Sequence, residues 1–463
     1  MSIALVGFVL LAMSQGDLQG PSRIDAGVVP CPGILALSTG FTVGIRSPCP
    51  GQEWAMAFGL SGSDWEGVGT LTPDGGFVVA GFATGGDAWV VKLNASGTAL
   101  WQKSYGGSGS DTVRDVDATT DGGFVLAGRL GSFGAWLLKL DATGTVILQK
   151  TFAGVGSEAS SIDETSDGGF IVGGWSDSNG RDYWVLRVDS LGNLLWEATF
   201  GSPAEETLTS VQQTVDGGFI LGGYAWTDTG GLFGGGKRDA WVIKVDAHGN
   251  LEWQKLLGTS GYDGALSILQ TSDAGYVLAG NTGSYGSLKR LIMKLDANGE
   301  IQWQKTYGGS GDTFTDIQQT PDGGYIAAGR IEMGRKAGSG NPDFGIVKLD
   351  ANGNIEWQKA YGGAGSDYAT SVSVVPGNGY FVTGISSSFG ESQDVWALRV
   401  DANGGLFGCG TSVAAGSLSP STGTPRLKGI NSVSTLAHPT SAVADGTAIA
   451  TDLNLAVGTQ CAA

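Results

Sequence analysis

The sequence predicts an all-β fold: a seven-bladed β-propeller of four-stranded blades, its ring closed by an N-terminal strand completing the last blade. Three observations carry this: a glycine excess, a turn motif recurring at propeller spacing, and one displaced strand. Of 463 residues, 81 are glycine, where typical usage is about 7%. There is no strict G-X-Y period and there are 13 prolines, which excludes collagen. A hydrophobic fraction of 41% with 14 tryptophans excludes a disordered chain. Glycine inside a helix costs about 1 kcal/mol, which excludes a long helical protein. A large all-β protein with many tight turns remains.

The motif Asp74-Gly-Gly-Phe77 recurs at Asp121, Asp167, Asp216, Asp273 (as Asp-Ala-Gly-Tyr), Asp322 and Gly377 (as Gly-Asn-Gly-Tyr). The successive spacings are 47, 46, 49, 57, 49 and 55 residues. Periods of this size mark propellers, solenoids or arrays. Each unit reads as four short β runs, in the sixth at 313–320, 324–329, 344–349 and 355–360. No helical periodicity competes with this pattern. Asp or Asn followed by Gly three residues later occurs seven times, from Asn94/Gly97 to Asp401/Gly404. That pattern suits a type I turn closing a bulged hairpin. The second glycine of each DGG turn (Gly76, Gly123, Gly169, Gly218, Gly275, Gly324, Gly379) is expected to do similar left-handed work. The turn at Asp350 is no EF-hand loop, because that pattern needs an acid where this chain has Tyr361.

The ends of the repeat region set the architecture. A Trp-Gln-Lys strand occurs at Trp101, Leu148, Trp196, Trp253, Trp303 and Trp357, but is missing after the seventh unit. A spare copy, Glu53-Trp54-Ala-Met-Ala-Phe58, precedes the first unit. An open solenoid has no use for this offset, whereas a closed ring does, since closure removes sheet edges.

The stretches Trp303–Asp312, Thr320–Ile326 and Lys348–Gly353 resemble the repeats of bacterial secreted seven-bladed β-propeller proteins, a largely uncharacterised family. The resemblance covers about residues 53–405 and implies the fold more than any activity. The turn-to-tryptophan run also resembles the docking motif of quinoprotein dehydrogenase propellers. It departs in spacing, in blade number and in lacking a vicinal cysteine pair, so no quinone cofactor is carried over.

Residues repeated in every unit are read as scaffold. The Trp-Gln-Lys tryptophans and a second set (Trp89, Trp136, Trp184, Trp241, Trp396) are expected to pack between blades. The third-strand cations (Lys92, Lys139, Arg187, Lys244, Lys294, Lys348, Arg399) are expected to meet local carboxylates or carbonyls. Alternating strands place the tight turns at one end of the ring. The blade-to-blade links and the second-to-third-strand loops share the other end. The latter loops vary in length, longest in units four and six, and such loops usually carry binding residues.

Lys237, Arg238, Lys289, Arg290, Arg330, Arg335 and Lys336 lie at these variable loops, with Trp226, Phe233 and Tyr285. Such a patch suits an anionic glycan or a carboxylate-bearing partner; the alternative is pairing with neighbouring acids. A second constellation opens the innermost strands: Asp64, Asp111, Glu158, Glu206, Asp263, Asp312 and Asp367. Converging on the axis, these would offer Ca²⁺ a site at the channel mouth. Otherwise each carboxylate accepts N–H groups of its own loop.

Composition bounds the partners. With 44 acidic against 26 basic residues the net charge is −18, which argues against nucleic acid and anionic membrane. Only two histidines occur, His248 and His438. The apolar run at 3–12 with small residues after it reads as a signal peptide over 1–14, too short to span a bilayer. Residues 15–52 form an N-terminal extension, 53–405 the propeller, and 406–463 a Ser/Thr/Ala/Gly-rich tail. Cys31, Cys49, Cys409 and Cys461 lie outside the repeats and allow two disulfides in three connectivities, with nearest-in-sequence pairing preferred.

The expectation is a secreted, extracellular or cell-surface binding or scaffold module. It is read as a monomer, with no organic cofactor, and recognises glycans or protein partners through its loop-rich face. The alternatives are a polysaccharide glycosidase or lyase with its site at the channel mouth, and a purely structural surface component.

Overall fold

Every blade begins from the same turn chemistry. In the first DGG turn Thr72 N–H donates to the Gly76 carbonyl (3.0 Å), Gly75 N–H donates to the Thr72 carbonyl (2.9 Å), and Asp74 Oδ1 accepts Gly76 N–H (3.0 Å). In the first six turns the left-handed residue stands at the first position after the aspartate, not at the second glycine as expected: φ is +78° at Gly75, +84° at Gly122 and +82° at Gly217, whereas in the seventh turn Gly379 itself is at +101°. In the fifth blade Ala274 takes that place at φ +64°. The second glycine is needed for space instead, because a Cβ at Gly76 would run into the Leu93 carbonyl and the Lys92 ammonium. The Asp-x-x-Gly turns behave as predicted, with φ from +71° at Gly404 to +81° at Gly97 and a bulge beside the hairpin, as at Lys92/Leu93 and Lys348/Leu349.

The third-strand cation closes the DGG turn from beneath. Lys92 meets Asp74 at 2.9 Å, Lys139 meets Asp121 at 2.7 Å, and Lys348 meets Asp322 at 2.9 Å. Burial alone would raise the Asp74, Asp121, Asp273 and Asp322 carboxyls. The threonine hydroxyl, the lysine and the turn N–H outweigh it and bring each down to about 2. In the seventh blade, where the motif has no aspartate, Arg399 donates to the Val400 carbonyl at 2.6 Å.

The computed structural model describes residues 53–406 except 60–62, 84–85, 108, 133, 153–156, 177–180, 203, 227–237, 259–260, 284–287, 309–310, 332–340, 364, 378 and 389–392. It also describes short strands at 451–452 and 456–459. The described strands form seven antiparallel sheets. Six run consecutively from an inner strand (for example Thr112–Ala118) to an outer one (Val146–Phe152). The seventh comprises Asp367–Val375, Gly379–Ser386 and Asp394–Val400, completed by Trp54–Gly59. That closing strand pairs with the third strand, Trp54 opposite Arg399 and Phe58 opposite Val395. Thr451–Asp452 pairs with the outer strand of blade one, and Ala456–Thr459 with the closing strand of blade seven.

The core lies between blades. Trp101, Trp196, Trp253, Trp303 and Trp357 each set an indole against the Phe or Tyr that follows the next blade's DGG turn, with centroids 5.6–6.0 Å apart. Trp54 does the same to Phe77 at 5.5 Å, across the ring-closing seam. The second tryptophan set is buried throughout. Each such face removes large aromatic areas from water, the main stabilising term for blade packing.

Candidate functional site

The links and the second-to-third-strand loops do share one face. Asp111 N–H donates to the Gly86 carbonyl (3.0 Å), Trp226 N–H to the Glu205 carbonyl (2.8 Å), and Asp367 N–H to the Pro342 carbonyl (2.8 Å). Each bond joins a link to the preceding loop or to the adjoining one.

On this face, guanidinium groups lie over aromatic rings. Arg181 stands 3.9 Å from the Trp175 ring centroid, Arg238 4.1 Å from Tyr224, Arg330 5.4 Å from Tyr368, and Arg114 5.8 Å from Phe82. Phe82, Trp175 and Tyr224 stand directly after the glycine that ends the regular part of strand two. They are paired in register with Trp65, Glu158 and Thr207 at the start of strand one. The repeat thus delivers one side chain per blade to the inner edge of the loop face, and in several blades it is an aromatic under an arginine. Arg181, Arg238 and Arg330 are half-buried, which holds one face of each against its ring; at Arg181 and Arg238 donor edges remain for a partner. Arg114 is ion-paired with Glu66 and with Glu158 (2.5 Å).

Exposed apolar groups adjoin this crown. Trp65 is 42% exposed, Tyr262 39% and Leu288 39%, and Trp226 meets Tyr262 edge-on at 6.0 Å. Of the expected patch, Trp226, Arg238 and Arg330 belong to this surface, and Lys289 is half-buried beside it. Arg290 does not: it is fully buried, 3.5 Å from Asp312 and over the Phe314 ring at 5.0 Å. Phe233, Lys237, Tyr285, Arg335 and Lys336 lie outside the described residues, as do Cys31, Cys49, Cys409 and Cys461 and the signal-peptide segment. Sequence reasoning missed Arg114, Arg181, Trp175, Tyr224, Tyr368 and Trp65. For Trp175 and Tyr224 the available signal was an aromatic just after the strand-two glycine.

The acidic set is buried within the seams. Asp64, Asp111, Asp263 and Asp367 are 0% exposed, and Asp312 and Glu206 1%. Gly107 N–H donates to Asp111 (2.8 Å), Ser202 N–H to Glu206 (3.1 Å) and Gly363 N–H to Asp367 (3.1 Å). Trp89 Nε1 donates to Asp64 at 3.0 Å. Burial first, and then the neighbouring acid, raise the Glu206 carboxyl to about 7. None of the set lines the axial cavity, and no three or more acid, His or Cys side chains gather into a metal-holding group among the described residues. Register also separates one member: Ser157, not Glu158, stands at the equivalent position in blade three, because Glu158 pairs with Trp175 as Thr112 pairs with Arg129.

The axial cavity holds about 500 Å³ and is lined by the inner strands of all seven blades. Its polar side chains hold neighbouring blades together. Asp115 accepts Ile162 N–H (2.9 Å), Asp163 accepts Gln213 N–H (2.8 Å), Asp316 accepts Val372 N–H (2.8 Å), and Ser210 Oγ accepts Ile268 N–H (3.2 Å). One step along, Glu164, Gln213, Gln270 and Gln319 accept turn N–H groups of the preceding blade at 2.7–2.8 Å. Burial pushes Asp115 and Asp163 up to about 7 and Asp117 to about 6.

No protein-family model matches the chain, and no curated protein does. Solved structures of low identity are similar to it. A protein of unknown function from Dyadobacter fermentans DSM 18053 is 11% identical over 74% of this chain and 97% of that one, with a TM-score of 0.42. Sqt1 from Chaetomium thermophilum is 13% identical over 70% and 80%, with a TM-score of 0.37. The PQQ domain of pyranose dehydrogenase from Coprinopsis cinerea is 12% identical over 62% and 92%, with a TM-score of 0.35. Likeness at this level carries no statement about function.

Proposed function

We propose that this chain is a binding scaffold whose loop-rich face recognises a carboxylate-bearing partner, either an acidic protein segment or an anionic glycan. The observation that carries this reading is the crown of arginine–aromatic stacks at Arg181/Trp175, Arg238/Tyr224 and Arg330/Tyr368. A guanidinium lying over a ring, as at Arg181 and Arg238, keeps its edge donors for a carboxylate, and the half-buried Trp226 with the exposed Tyr262 and Trp65 supplies apolar contact beside it. The chain as a whole carries a net charge of −18, so attraction for anions depends on local clusters of cations such as this one.

The scaffold reading is of a monomer without organic cofactor acting outside the cell. Its support is the apolar run at 3–12 and the even cysteine count. The rival, an enzyme acting on polysaccharide at the channel mouth, has little to rest on. The cavity carboxylates Asp115, Asp163 and Asp316 are engaged by main-chain donors of the next blade.

An array of anionic glycans and a display library of acidic peptides, both probed with the full chain, test the reading. Ligands that bind wild type and lose ten-fold or more affinity to Arg181→Gln with Arg238→Gln are expected. Ligands indifferent to both substitutions would overturn it.

A further inference from the structure

At each seam on the loop-rich face, the residue opening the third strand of one blade stands beside the residue opening the first strand of the next. Four described seams bring two carboxylates together. A Cβ at Gly106 would meet both Asp87 and Asp111, and one at Gly362 both Asp343 and Asp367. Asp182 and Glu206 interact side chain to side chain, and Asp239 feels the charge of Asp263.

The exceptions are informative. Between blades two and three both acids are missing together, and Gly134 and Ser157 hold their places. Between blades five and six the strand-three acid is replaced by Lys289, and the next residue, Arg290, lays its buried guanidinium 3.5 Å from Asp312. A Cβ at Gly308 would strike that guanidinium and Asp312, just as one at Gly258 would strike Asp239. In these six seams the slot holds two acids, one acid with a built-in cation, or no charge at all, and no acid faces a neutral residue.

Among the described residues no such cation is paired with Asp239. Asp239 is 1% exposed, and neither of its carboxylate oxygens has a hydrogen-bond partner. A bare carboxylate in that setting is costly, and a second one beside it more so.

We propose that the Asp239/Asp263 seam binds a divalent cation, in the place that Arg290 fills between blades five and six, and that Asp87/Asp111, where Asp111 is fully buried with one carboxylate oxygen lacking a hydrogen-bond partner, is a further site of the same kind. The donors on view are carboxylate oxygens, with no imidazole or thiolate beside them among the described residues, and hard oxygen donors suit Ca²⁺. Such an ion rivets the third strand of one blade to the first strand of the next. It sits in the wall of the ring and not on its axis.

The test uses the full chain, stripped with EDTA and dialysed at pH 8, with CaCl₂ as the only probe. Calorimetric titration is expected to show saturable binding, and Ca²⁺ at about a hundred times its Kd to raise Tm by roughly 3–6 °C. Asp239→Asn is expected to remove one equivalent. Asp87→Asn, at a separate seam, gives an independent reading should the first variant not fold. No binding by wild type, with a Tm indifferent to EDTA, would overturn the proposal in favour of a proton shared by each pair. Binding whose stoichiometry survives both substitutions would also overturn it.

Discussion

Ser371 and Gly69 stand 302 residues apart and exchange two hydrogen bonds, Gly69 N–H to Ser371 Oγ at 3.2 Å and Ser371 Oγ–H to the Gly69 carbonyl at 3.0 Å. They join the inner strand of blade seven to that of blade one. The same contact recurs between Ser210 and Ile268, at an ordinary seam. The ring thus closes with the chemistry it uses elsewhere.

The outer side of the closing seam depends on the N-terminal strand. Phe58 is fully buried in a cluster with Phe77, Trp89 and Val395. Phe58→Ala is expected to cost about 3–5 kcal/mol, read by urea unfolding. A loss under 1 kcal/mol would mean that the strand is dispensable.

Glycine requirements differ by position. A Cβ at Gly223, which ends the regular part of a second strand, would collide with the Thr207 carbonyl and the Tyr183 hydroxyl. Gly168, at φ +79°, has nothing within 4 Å. Gly223→Ala is expected to abolish soluble expression, whereas Gly168→Ala costs about 1 kcal/mol of left-handed strain. Equal effects of the two in thermal melts would refute the distinction.

Stability should peak in mildly acidic solution. Asp74, Asp121, Asp273 and Asp322 sit at about 2 when folded, so their contribution is present above the ordinary value near 4 and lost as pH falls through 2. These side chains are more than half exposed, so each effect is small. Asp115 and Asp163, raised to about 7, act oppositely: their contribution is complete below about 4 and is lost as pH rises through 7. Melts from pH 2 to 9 should show this dome. Asp115→Asn should flatten the alkaline side; an unchanged profile would contradict the assignment.

The ring was legible in the sequence because each blade must solve the same problem. Trp101 against Phe124 and Lys92 under Asp74 recur from blade to blade, so they appear as repeats. What was not legible depends on register or on contacts across seams. Glu158 lies one place from its apparent equivalents because Ser157 occupies the ring position. Arg290 reads as a surface cation until the third-strand pairing puts it opposite Asn281, inside the seam. The cavity latches, such as Asp316 to Val372, join residues 56 apart, and no local pattern marks them. The strands at 451–452 and 456–459 come from a stretch, residues 410–463, with no Phe, Trp or Tyr to announce them.

The claim that the crown of the loop face is the binding surface is tested most directly by affinity for one anionic ligand across two sets of variants. Polyglutamate of defined length serves as the probe, titrated at two salt concentrations. The account predicts a ten-fold or greater loss for Arg181→Gln with Arg238→Gln, salt-dependent binding to wild type, and no change for the cavity substitution Gln318→Ala. Unchanged affinity in the arginine variant, or a loss confined to Gln318→Ala, would contradict it.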